Sequence, residues 1–380
     1  MKALLTCALA ASLLAAGAAD AKSSRRQPAA KAKPAAAIAA DPAELGEHTD
    51  FTQWSGVPAF IDEMVDKHGF ARAEVEQILR KTRYVDIAVQ LVKPPPPGKP
   101  KNWVAYRARF IEPLRIRAGV RFWDAHADTL ARAEQQFGVP ADIIVGILGV
   151  ETIYGRNTGK FRVLDAIATL AFAYPDTPNR VARMEYFRRE LENALLFARD
   201  AAIDPFTLLG SYAGAIGLPQ FMPGSILRYA IDFDGDDHID LRTSPADAIG
   251  SVANFLRKHG WRPGDPIVFP ARVAPAGEGE TPAWQAYIGK SLEARDSLDA
   301  LLAAGVTPVG DVPAGLGYGL VDLQNGFEPT EYWLGTANFF AIAQYNRSFF
   351  YAMSVVELGH AVKAARNQAG ATAAQAPGKS

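Results

Sequence analysis

The amino-acid sequence predicts a mainly α-helical protein of the α+β class, in which a helical core carries one small β-containing insertion. Most of the chain repeats apolar residues at the spacing of an α-helix. One stretch, residues 139–155, is apolar on nearly every side, which is typical of a buried helix. Between residue 262 and about residue 330 glycine and proline punctuate short apolar runs, a pattern typical of strands. A chain of 380 residues is long enough for two or three structural units.

The first 21 residues have the composition of an export signal. Lys2 precedes an apolar run over residues 3–18, and Ala-Asp-Ala at residues 19–21 fits a cleavage site between small residues. We therefore expect cleavage near Ala21 and a periplasmic location. The single cysteine, Cys7, lies inside this signal, so the mature chain is expected to lack disulfides, thiolate chemistry and a lipid anchor on cysteine.

A linker and an N-terminal helical region are predicted to follow the signal. Residues 22–50 are rich in alanine, proline and lysine and carry too little apolar bulk to fold, so they predict a disordered linker. The helical region is predicted over residues 51–137, with an interruption at the proline-rich sequence VQLVKPPPPGKP of residues 89–100. The helices predicted within it span residues 57–68, 71–80, 107–117 and 120–136.

The central helix is predicted over residues 139–155, VPADIIVGILGVETIYG. Its only carboxyl group beyond the first turn belongs to Glu151, which shares a helix face with Ile144, Ile147 and Leu148. Burial penalises an ionised carboxylate and raises its pKa, which is what a general acid working near neutral pH requires. The alternative from this stretch alone is a structural carboxylate that caps a neighbouring helix or pairs with Arg156.

The second half of the sequence is predicted to complete the core around the insertion. Residues 208–225, LLGSYAGAIGLPQFMPGS, contain four glycines and two prolines, which suits a backbone folded closely around a ligand. We predict a β-containing subdomain over residues 262–330, a C-terminal helix over 331–362 that completes the core, and a disordered tail over 363–380. Further helices are predicted over residues 163–173, 183–202 and 245–259.

An acidic loop at residues 232–240, DFDGDDHID, has the spacing of an EF-hand-like calcium loop. The glycine stands one position early, and position 12 is Thr243 rather than a bidentate glutamate. We therefore predict a structural calcium site of lowered affinity, with a solvated acidic loop as the alternative. The candidate ligands are the side chains of Asp232, Asp234, Asp236 and Asp240 and the carbonyl oxygen of His238.

Several classes of function are disfavoured by composition and by the motifs that the sequence lacks. The formal net charge of −1 gives no basic excess for binding nucleic acid. The sequence contains no dinucleotide, P-loop, zinc-protease or nucleophile-elbow motif. Beyond the signal, no apolar stretch is long enough to span a membrane.

Four stretches together resemble the B-type lytic murein transglycosylases, a branch of the lysozyme-like superfamily. They are GVETIYG at residues 149–155, GSYAGAIGLPQFMP at 210–223, DAIGSVANFL at 247–256 and QYNRS at 344–348. The resemblance runs from about residue 51 to residue 362. It implies a lysozyme-like catalytic core over residues 138–261, completed by the C-terminal helix.

The resemblance also implies the reaction and its residues. Glu151 would protonate the glycosidic oxygen between N-acetylmuramic acid and N-acetylglucosamine, and would then accept the proton of the muramoyl C6 hydroxyl as this attacks C1. The product would be a 1,6-anhydromuramoyl end, formed without water and without a required cofactor. The implied substrate-binding residues are Ser211, Gln220, Tyr345, Asn346, Tyr154, Tyr212 and Arg183, with Arg180 as a rival to Arg183.

Alternatives remain open at this point for the reaction and for single residues. A hydrolytic muramidase of the same fold would need a second carboxylate, for which Asp165 is the candidate. A non-catalytic murein-binding scaffold would have no need of an acid on an apolar face. Tyr154 and Tyr212 could be core aromatics, and Ser211 could cap a turn. Peptidoglycan is the expected partner, with cell-wall synthesis or secretion machinery as further candidates.

Overall fold

The structure of the protein is a computed structural model, and it divides the chain into two compact units. The first unit contains the described residues of 100–158 and of 216–375, and the second contains those of 47–99 and 159–215. The predicted signal peptide and most of the predicted linker lie outside the described residues. The residues that the structure describes are 47–94, 98, 100–277, 279–289 and 291–375.

Across the described residues the chain forms fourteen α-helices and eight strands. The helices are α1 (Val57–His68), α2 (Arg72–Lys81), α3 (Asp86–Leu91), α4 (Trp103–Arg107), α5 (Pro113–Ala125), α6 (Ala127–Phe137), α7 (Ala141–Thr152), α8 (Val163–Phe172), α9 (Arg180–Asp200), α10 (Pro223–Tyr229), α11 (Pro245–Lys258), α12 (Leu298–Ala303), α13 (Ala337–Asn346) and α14 (Phe349–Gln375). The strands are β1 (Glu47–His48), β2 (Arg83–Tyr84), β3 (Phe161–Arg162), β4 (Leu209–Gly210), β5 (Val268–Val273), β6 (Val306–Pro308), β7 (Gly319–Asn325) and β8 (Glu328–Gly335). None of the described helices is long and apolar enough to cross a membrane.

The second unit is a helical cluster built around α8, which packs against α3 and α9. Helix α1 has the predicted bounds, and it buries Phe60, Ile61 and Met64. It ends at Gly69, which adopts the left-handed conformation with φ 68° that favours glycine at a helix C-terminus. The unit also contains the antiparallel pairs β1–β2 and β3–β4. Strand β1 lies within the predicted linker, so the last residues of that predicted segment are not disordered.

The two units divide the chain differently from the predicted domains. The predicted N-terminal region, residues 51–137, is split between the units, because α5 and α6 pack against α7 in the first unit. Residues 159–215 were predicted to belong to the catalytic core at 138–261, but in the structure they lie in the second unit with residues 47–99. A pattern of apolar residues shows which face of a helix is buried, but it does not show which other helix covers that face.

The first unit is organised around α7, which packs against α5, α6, α11 and α14. Every residue from Ala141 to Val150 is buried, which confirms the prediction of a helix that is buried on all sides. The helix predicted over residues 107–117 begins too early, since α4 ends at Arg107 and α5 begins at Pro113. The side chain of Glu112 accepts hydrogen bonds from the backbone N–H groups of Leu114 and Arg115, both at 2.8 Å, and so caps α5.

The predicted insertion contains a four-stranded antiparallel sheet with the strand order β6-β5-β8-β7. One face of this sheet covers a separate small apolar core. Its fully or nearly fully buried members are Trp284, Leu301, Val306, Tyr318, Leu320 and Leu334.

The predicted C-terminal helix over residues 331–362 begins too early and is two helices. Residues 331–335 belong to β8, which is hydrogen-bonded on both sides, to β5 and β7. The chain then forms α13 and α14, separated at Arg347, which adopts φ 47°. Because each strand of a sheet needs partners from elsewhere in the chain, the short run EYWLG gave no local sign of its pairing.

The predicted disordered tail is helical over residues 363–375, where α14 continues to Gln375. Alanine and glutamine are good helix formers, so this composition suits a helix once its first turns are anchored. The anchor includes Arg366, whose Nε donates to Oδ1 of Asp124 on α5 at 2.7 Å. The guanidinium also lies 5.4 Å from the ring centroid of Trp123.

Candidate active site

Glycines allow α7 and α14 to lie in direct backbone contact. A Cβ atom at Gly146 would collide with the carbonyl oxygen of Val355, and one at Gly149 would lie 2.8 Å from Cδ2 of Leu358. On the opposite side of the contact, a Cβ atom at Gly359 would collide with the carbonyl oxygen of Asp142. The two helices therefore approach more closely than any larger residue would permit, and this fixes where the last turn of α7 stands.

The chain turns sharply after α7. Ile153, Tyr154 and Gly155 all have positive φ values, of 52°, 57° and 87°. For a β-branched residue such as Ile153 this conformation is strained and persists only where its surroundings impose it. Thr152 supplies part of that constraint, because its hydroxyl donates to the carbonyl oxygen of Leu218 at 2.9 Å and accepts from the N–H of Gly155 at 2.9 Å.

Glu151 occupies the last turn of α7 and is only partly exposed. The hydroxyl of Tyr351, a fully buried residue on α14, donates a hydrogen bond to its Oε1 at 2.6 Å. Burial raises the pKa of the Glu151 carboxyl to about 7, and the hydrogen bond from Tyr351 opposes this by favouring the ionised form. The carboxyl can therefore both release and accept a proton near neutral pH.

Aromatic rings from α11 and α13 continue the surroundings of Tyr351. The ring of Tyr345 is stacked on that of Tyr351, with centroids 6.0 Å apart and planes inclined by 15°. Its hydroxyl donates to the carbonyl oxygen of Pro219 at 2.6 Å, and its other side packs on Phe255 at 4.7 Å. Burial raises the pKa of both phenols well above the usual range, so both are neutral hydrogen-bond donors.

A third phenol, that of Tyr106 on α4, also faces this region. Its ring packs edge-on against Phe350, the residue before Tyr351, at 5.4 Å, and its buried hydroxyl has no hydrogen-bond partner among the described residues. Burial raises the pKa of Tyr106, Arg109 lowers it, and the charge of Glu151 raises it, so Tyr106 lies within the electrostatic reach of Glu151.

Sequence reasoning missed both Tyr351 and Tyr106. The signal for Tyr351 was a phenol within the largely apolar run FFYAMSVV, but an apolar helix can equally hold a tyrosine for packing. Tyr106 lies 45 positions before Glu151 in a segment predicted to belong to a different region. Its relation to the carboxyl depends on long-range packing that no local pattern reports.

Gln220 and Asn346, both predicted to bind substrate, lie in the first unit with Glu151. Gln220 adopts the left-handed conformation with φ 52°, and its Nε2 donates to the carbonyl oxygens of Thr158 and Gly217 at 3.1 and 2.9 Å. These bonds fix the side chain on the loop next to Pro219, which Tyr345 contacts. Asn346 ends α13, directly after Tyr345, and is partly exposed.

Tyr154 packs inside the first unit, which disfavours its predicted role as a surface for a sugar ring. Its ring is stacked on Phe122 at 5.2 Å, and its hydroxyl is buried without a partner among the described residues. A Cβ atom at either Gly119 or Gly149 would collide with this hydroxyl. The alternative of a core aromatic therefore fits the geometry better.

Ser211, Tyr212 and Arg183 lie in the second unit, and two of them are buried there. The buried Ser211 accepts a hydrogen bond from the N–H of Ala215 at 3.0 Å. This contact fits the alternative that Ser211 caps a turn. Tyr212 is only 4% exposed, which leaves little ring surface for a sugar. The guanidinium of Arg183 lies 5.1 Å from the rings of Tyr186 and Phe187, while Arg180 donates to the carbonyl oxygen of Tyr174 at 2.8 Å.

Asp165, the candidate second carboxylate, is committed to contacts within the second unit. It is 2% exposed and forms an ion pair with Arg162, with its Oδ2 at 2.6 Å from Nε and its Oδ1 at 2.9 Å from Nη2. Oδ1 also accepts from the N–H of Arg83 at 2.9 Å. A buried carboxylate with all these partners is typical of a structural ion pair.

The acidic loop gathers a different set of carboxylates from the predicted one. Oxygens of Asp232, Asp234 and Asp247 lie within 4.8 Å of one another, and Asp247 comes from the first turn of α11. Asp236 and Asp240 lie outside this cluster and accept from the N–H groups of His238 and Arg242 at 2.9 and 2.8 Å. Asp232 likewise accepts from the N–H groups of Gly235 and Asp237 at 2.6 and 2.9 Å. Oxygen ligands in such a cluster suit a hard cation such as calcium.

Comparisons with known proteins agree with this geometry. A family model described as a transglycosylase SLT domain matches residues 51–360. The chain is 44% identical over 327 residues to the membrane-bound lytic murein transglycosylase B of Escherichia coli strain K12, in a match that covers 84% of this chain and 86% of that protein.

Solved structures extend the similarity to three dimensions. The catenated lytic transglycosylase SltB1 from Pseudomonas aeruginosa is 40% identical, with a TM-score of 0.74, and the match covers 83% of this chain and 100% of that one. The Escherichia coli lytic transglycosylase Slt35 in complex with calcium is 43% identical, with a TM-score of 0.70, and the match covers 85% of this chain and 97% of that one.

Proposed function

Because the chain belongs to the family of transglycosylase SLT domains, it is a lytic murein transglycosylase, and we propose that Glu151 is its single catalytic acid and base. The bond it cleaves is the β-1,4 linkage between N-acetylmuramic acid and N-acetylglucosamine in peptidoglycan. The observation that carries the assignment is the Glu151 carboxyl itself, partly buried, held by Tyr351 and with a pKa of about 7.

In the first step the neutral Glu151 donates its proton to the glycosidic oxygen. The bond from that oxygen to C1 of the muramoyl residue breaks, and the N-acetylglucosamine leaves as an alcohol. The positive charge that develops at C1 is supported by the acetamido group of the substrate. The Glu151 carboxylate that remains is stabilised by the hydrogen bond from Tyr351, which is stronger to an ionised acceptor than to a neutral one.

In the second step the Glu151 carboxylate accepts the proton of the muramoyl C6 hydroxyl. The C6 oxygen forms a bond to C1, which gives the 1,6-anhydro ring and restores the neutral acid. No water is consumed, and the nucleophile is already positioned because it belongs to the same sugar. One group with a pKa near the working pH can perform both transfers in turn.

A hydrolytic muramidase is the alternative within the same fold. Such an enzyme normally uses a second carboxylate beside the bond. The contacts of Asp165 with Arg162 and Arg83 support a structural role for it and so weigh against this alternative. A non-catalytic scaffold is disfavoured because an acid with a raised pKa is costly to keep without a chemical use.

Digestion of purified murein sacculi tests the proposal directly, with the products resolved by mass spectrometry. Wild type is expected to release anhydro-ended muropeptides, which are lighter than reducing ends by one water. Glu151→Gln keeps the shape of the side chain but cannot transfer the proton, so its rate is expected to fall by about 10²–10⁴-fold. Reducing-end products from wild type would instead identify a hydrolase.

We also propose that Asp232, Asp234 and Asp247 hold a structural calcium ion, with no cofactor needed for the chemistry. The support is the approach of their oxygens within 4.8 Å, together with the calcium named in the structure of Slt35. Three carboxylates at this distance repel one another unless a cation lies among them. The ion would join the acidic loop to α11, whose Phe255 packs on Tyr345.

We further propose that the enzyme works in the periplasm without a lipid anchor. The support is the export signal read from the sequence and the position of Cys7 inside it. Cell fractionation with mass spectrometry of the mature N-terminus tests this, and a lipid-modified N-terminal cysteine in the membrane fraction would contradict it. Association with cell-wall synthesis or secretion machinery stays a prediction.

A further inference from the structure

Arg109 lies against Tyr106, and no carboxylate among the described residues forms an ion pair with it. It follows α4, and its side chain is exposed. No ion pair to Arg109 is formed among the described residues, whereas the neighbouring Arg107 is paired with Glu357. The segment 101–121 contains six basic residues and one acidic residue, so the local field is positive.

The position of the Arg109 guanidinium is fixed by Tyr106. Its Cζ lies 4.3 Å from the Tyr106 ring centroid, and its Nε lies 3.4 Å from the carbonyl oxygen of the same residue. The ring of Phe110 lies 5.7 Å from the guanidinium. A guanidinium stacked on a ring keeps its outer N–H groups free for an acceptor while losing little conformational freedom on binding.

Tyr106 also connects this cation to the catalytic carboxyl. Its ring contacts Phe350 at 5.4 Å, and the adjacent residue Tyr351 donates to Glu151. Arg109 therefore stacks on a residue that packs next to the segment holding Glu151. The substrate is a polymer of sugar rings, so a glycan bound over Glu151 also covers residues on either side of the reacting bond.

We propose that Arg109 forms a carboxylate-binding subsite next to Glu151, which recognises a carboxylate carried by the muramoyl part of the substrate. This rests on the proposed function, since it deepens the substrate class of the same site. The carboxylate can come from two sources. A bare muramoyl residue ends its lactyl ether in a free carboxylate, and a peptide-substituted one carries carboxylates along its stem peptide.

Binding to the Glu151→Gln protein, measured by calorimetry, tests the subsite without turnover. Three ligands are compared: the neutral tetrasaccharide of N-acetylglucosamine, an alternating tetrasaccharide of N-acetylglucosamine and N-acetylmuramic acid with free lactyl carboxylates, and the same alternating tetrasaccharide bearing pentapeptides. Adding Arg109→Ala is expected to weaken at least one carboxylate ligand about tenfold, the scale of one charge-assisted hydrogen bond, and to leave the neutral ligand unchanged.

Two control substitutions separate a local contact from general charge and from folding. Arg117→Ala removes an equal charge from the exposed side of α5 and is expected to leave all three affinities unchanged. Arg109→Lys keeps the charge but loses the planar fork, so it is expected to recover only part of the affinity. The loss of affinity caused by Arg109→Ala should become smaller as the salt concentration is raised from about 50 to about 200 mM, because salt screens the charge interaction.

The pattern of losses identifies the source of the carboxylate. A loss confined to the bare tetrasaccharide assigns the lactyl carboxylate, and a loss confined to the peptide-bearing ligand assigns the stem. Equal weakening of all three ligands by Arg109→Ala, no weakening of any, or the same result from Arg117→Ala would overturn the proposal. Anhydro products are not part of this readout, so the sacculus digest and the binding series can fail independently.

Discussion

Glu151 shows two opposing influences on one carboxyl group. Burial favours the neutral acid, whereas the hydrogen bond from Tyr351 favours the carboxylate. Burial has the larger effect, so the pKa rises from 4.5 to about 7. The folded-state pKa is therefore above the unfolded one, so this group contributes its full stability below about pH 4.5 and loses it as pH rises through about 7. The shift corresponds to about 3 kcal/mol of unfolding free energy, which the protein loses once the Glu151 carboxyl is ionised.

We expect the rate of sacculus digestion to fall above about pH 7, because the first step needs the protonated form of Glu151. In Tyr351→Phe the carboxylate loses its donor, so the pKa should rise and the falling limb should move to higher pH, while the maximal rate drops because the acid is less well held. The measurement is initial release of anhydro ends from pH 5 to 9.

Tyr345→Phe is the matched control for this pH dependence. The hydroxyl of Tyr345 bonds Pro219 rather than Glu151, so the midpoint of the limb should stay where it is in wild type. A limb that does not move in Tyr351→Phe, or that moves equally in both variants, would show that Tyr351 does not tune the carboxyl.

At the scale of elements, the contact of α7 with α14 places the acid. Gly146 and Gly149 on one helix and Gly359 on the other remove the side chains that would hold the backbones apart. Glycine inside a helix destabilises it by about 1 kcal/mol relative to alanine, so the close approach of the two helices comes with a loss of helix stability. Because Glu151 is on α7 and Tyr351 on α14, their hydrogen bond depends on this spacing.

Gly146→Ala should destabilise the protein by about 1–3 kcal/mol or more, although alanine is the better helix former, because its Cβ would collide with the carbonyl oxygen of Val355. It should also reduce activity by shifting α14 and Tyr351. Chemical denaturation and the sacculus digest measure the two effects. Arg121→Ala, on the exposed side of α5, is the control and should change stability by no more than about 0.5 kcal/mol. An unchanged or stabilised Gly146→Ala protein would disprove the close contact.

At the scale of the whole molecule, the described residues of each unit come from two separate parts of the chain. Within the first unit, the acidic loop is tied to α11 through Asp247, which is 1% exposed and accepts from the N–H groups of Phe233 and Asp240 at 2.7 and 2.8 Å. A cation bound there would therefore stabilise the unit as a whole rather than only the loop.

Calcium should raise the melting temperature, and a chelator should reverse the rise. At a hundredfold excess over Kd the gain is about 2.7 kcal/mol, or several degrees for a protein of this size. Asp247→Asn should abolish the calcium-induced rise, whereas Asp236→Asn should retain it, since Asp236 lies outside the cluster of three carboxylates. If Asp236→Asn abolished the rise and Asp247→Asn retained it, the ligands predicted from the loop spacing would be favoured instead.

The sequence by itself determined the elements whose cause is local. The apolar run before Glu151 predicts a helix buried on all sides with one acid near its end, and the structure has it. The change to short apolar runs bounded by glycine and proline marked the β-containing insertion. The four motifs predicted the family, which the match over residues 51–360 confirms, and they carry the prediction that Glu151 is the catalytic acid.

Tertiary structure alone decided which residues surround that acid. Tyr351 lies 200 positions from Glu151, and Asp247 rather than Asp236 or Asp240 lies with Asp232 and Asp234 in the carboxylate cluster. Periodicity reports which face of a helix is buried, but the partner on that face is set by packing over long sequence separations. The pKa of Glu151 depends on those partners, so its value near 7 follows from the folded surroundings rather than from the residue type.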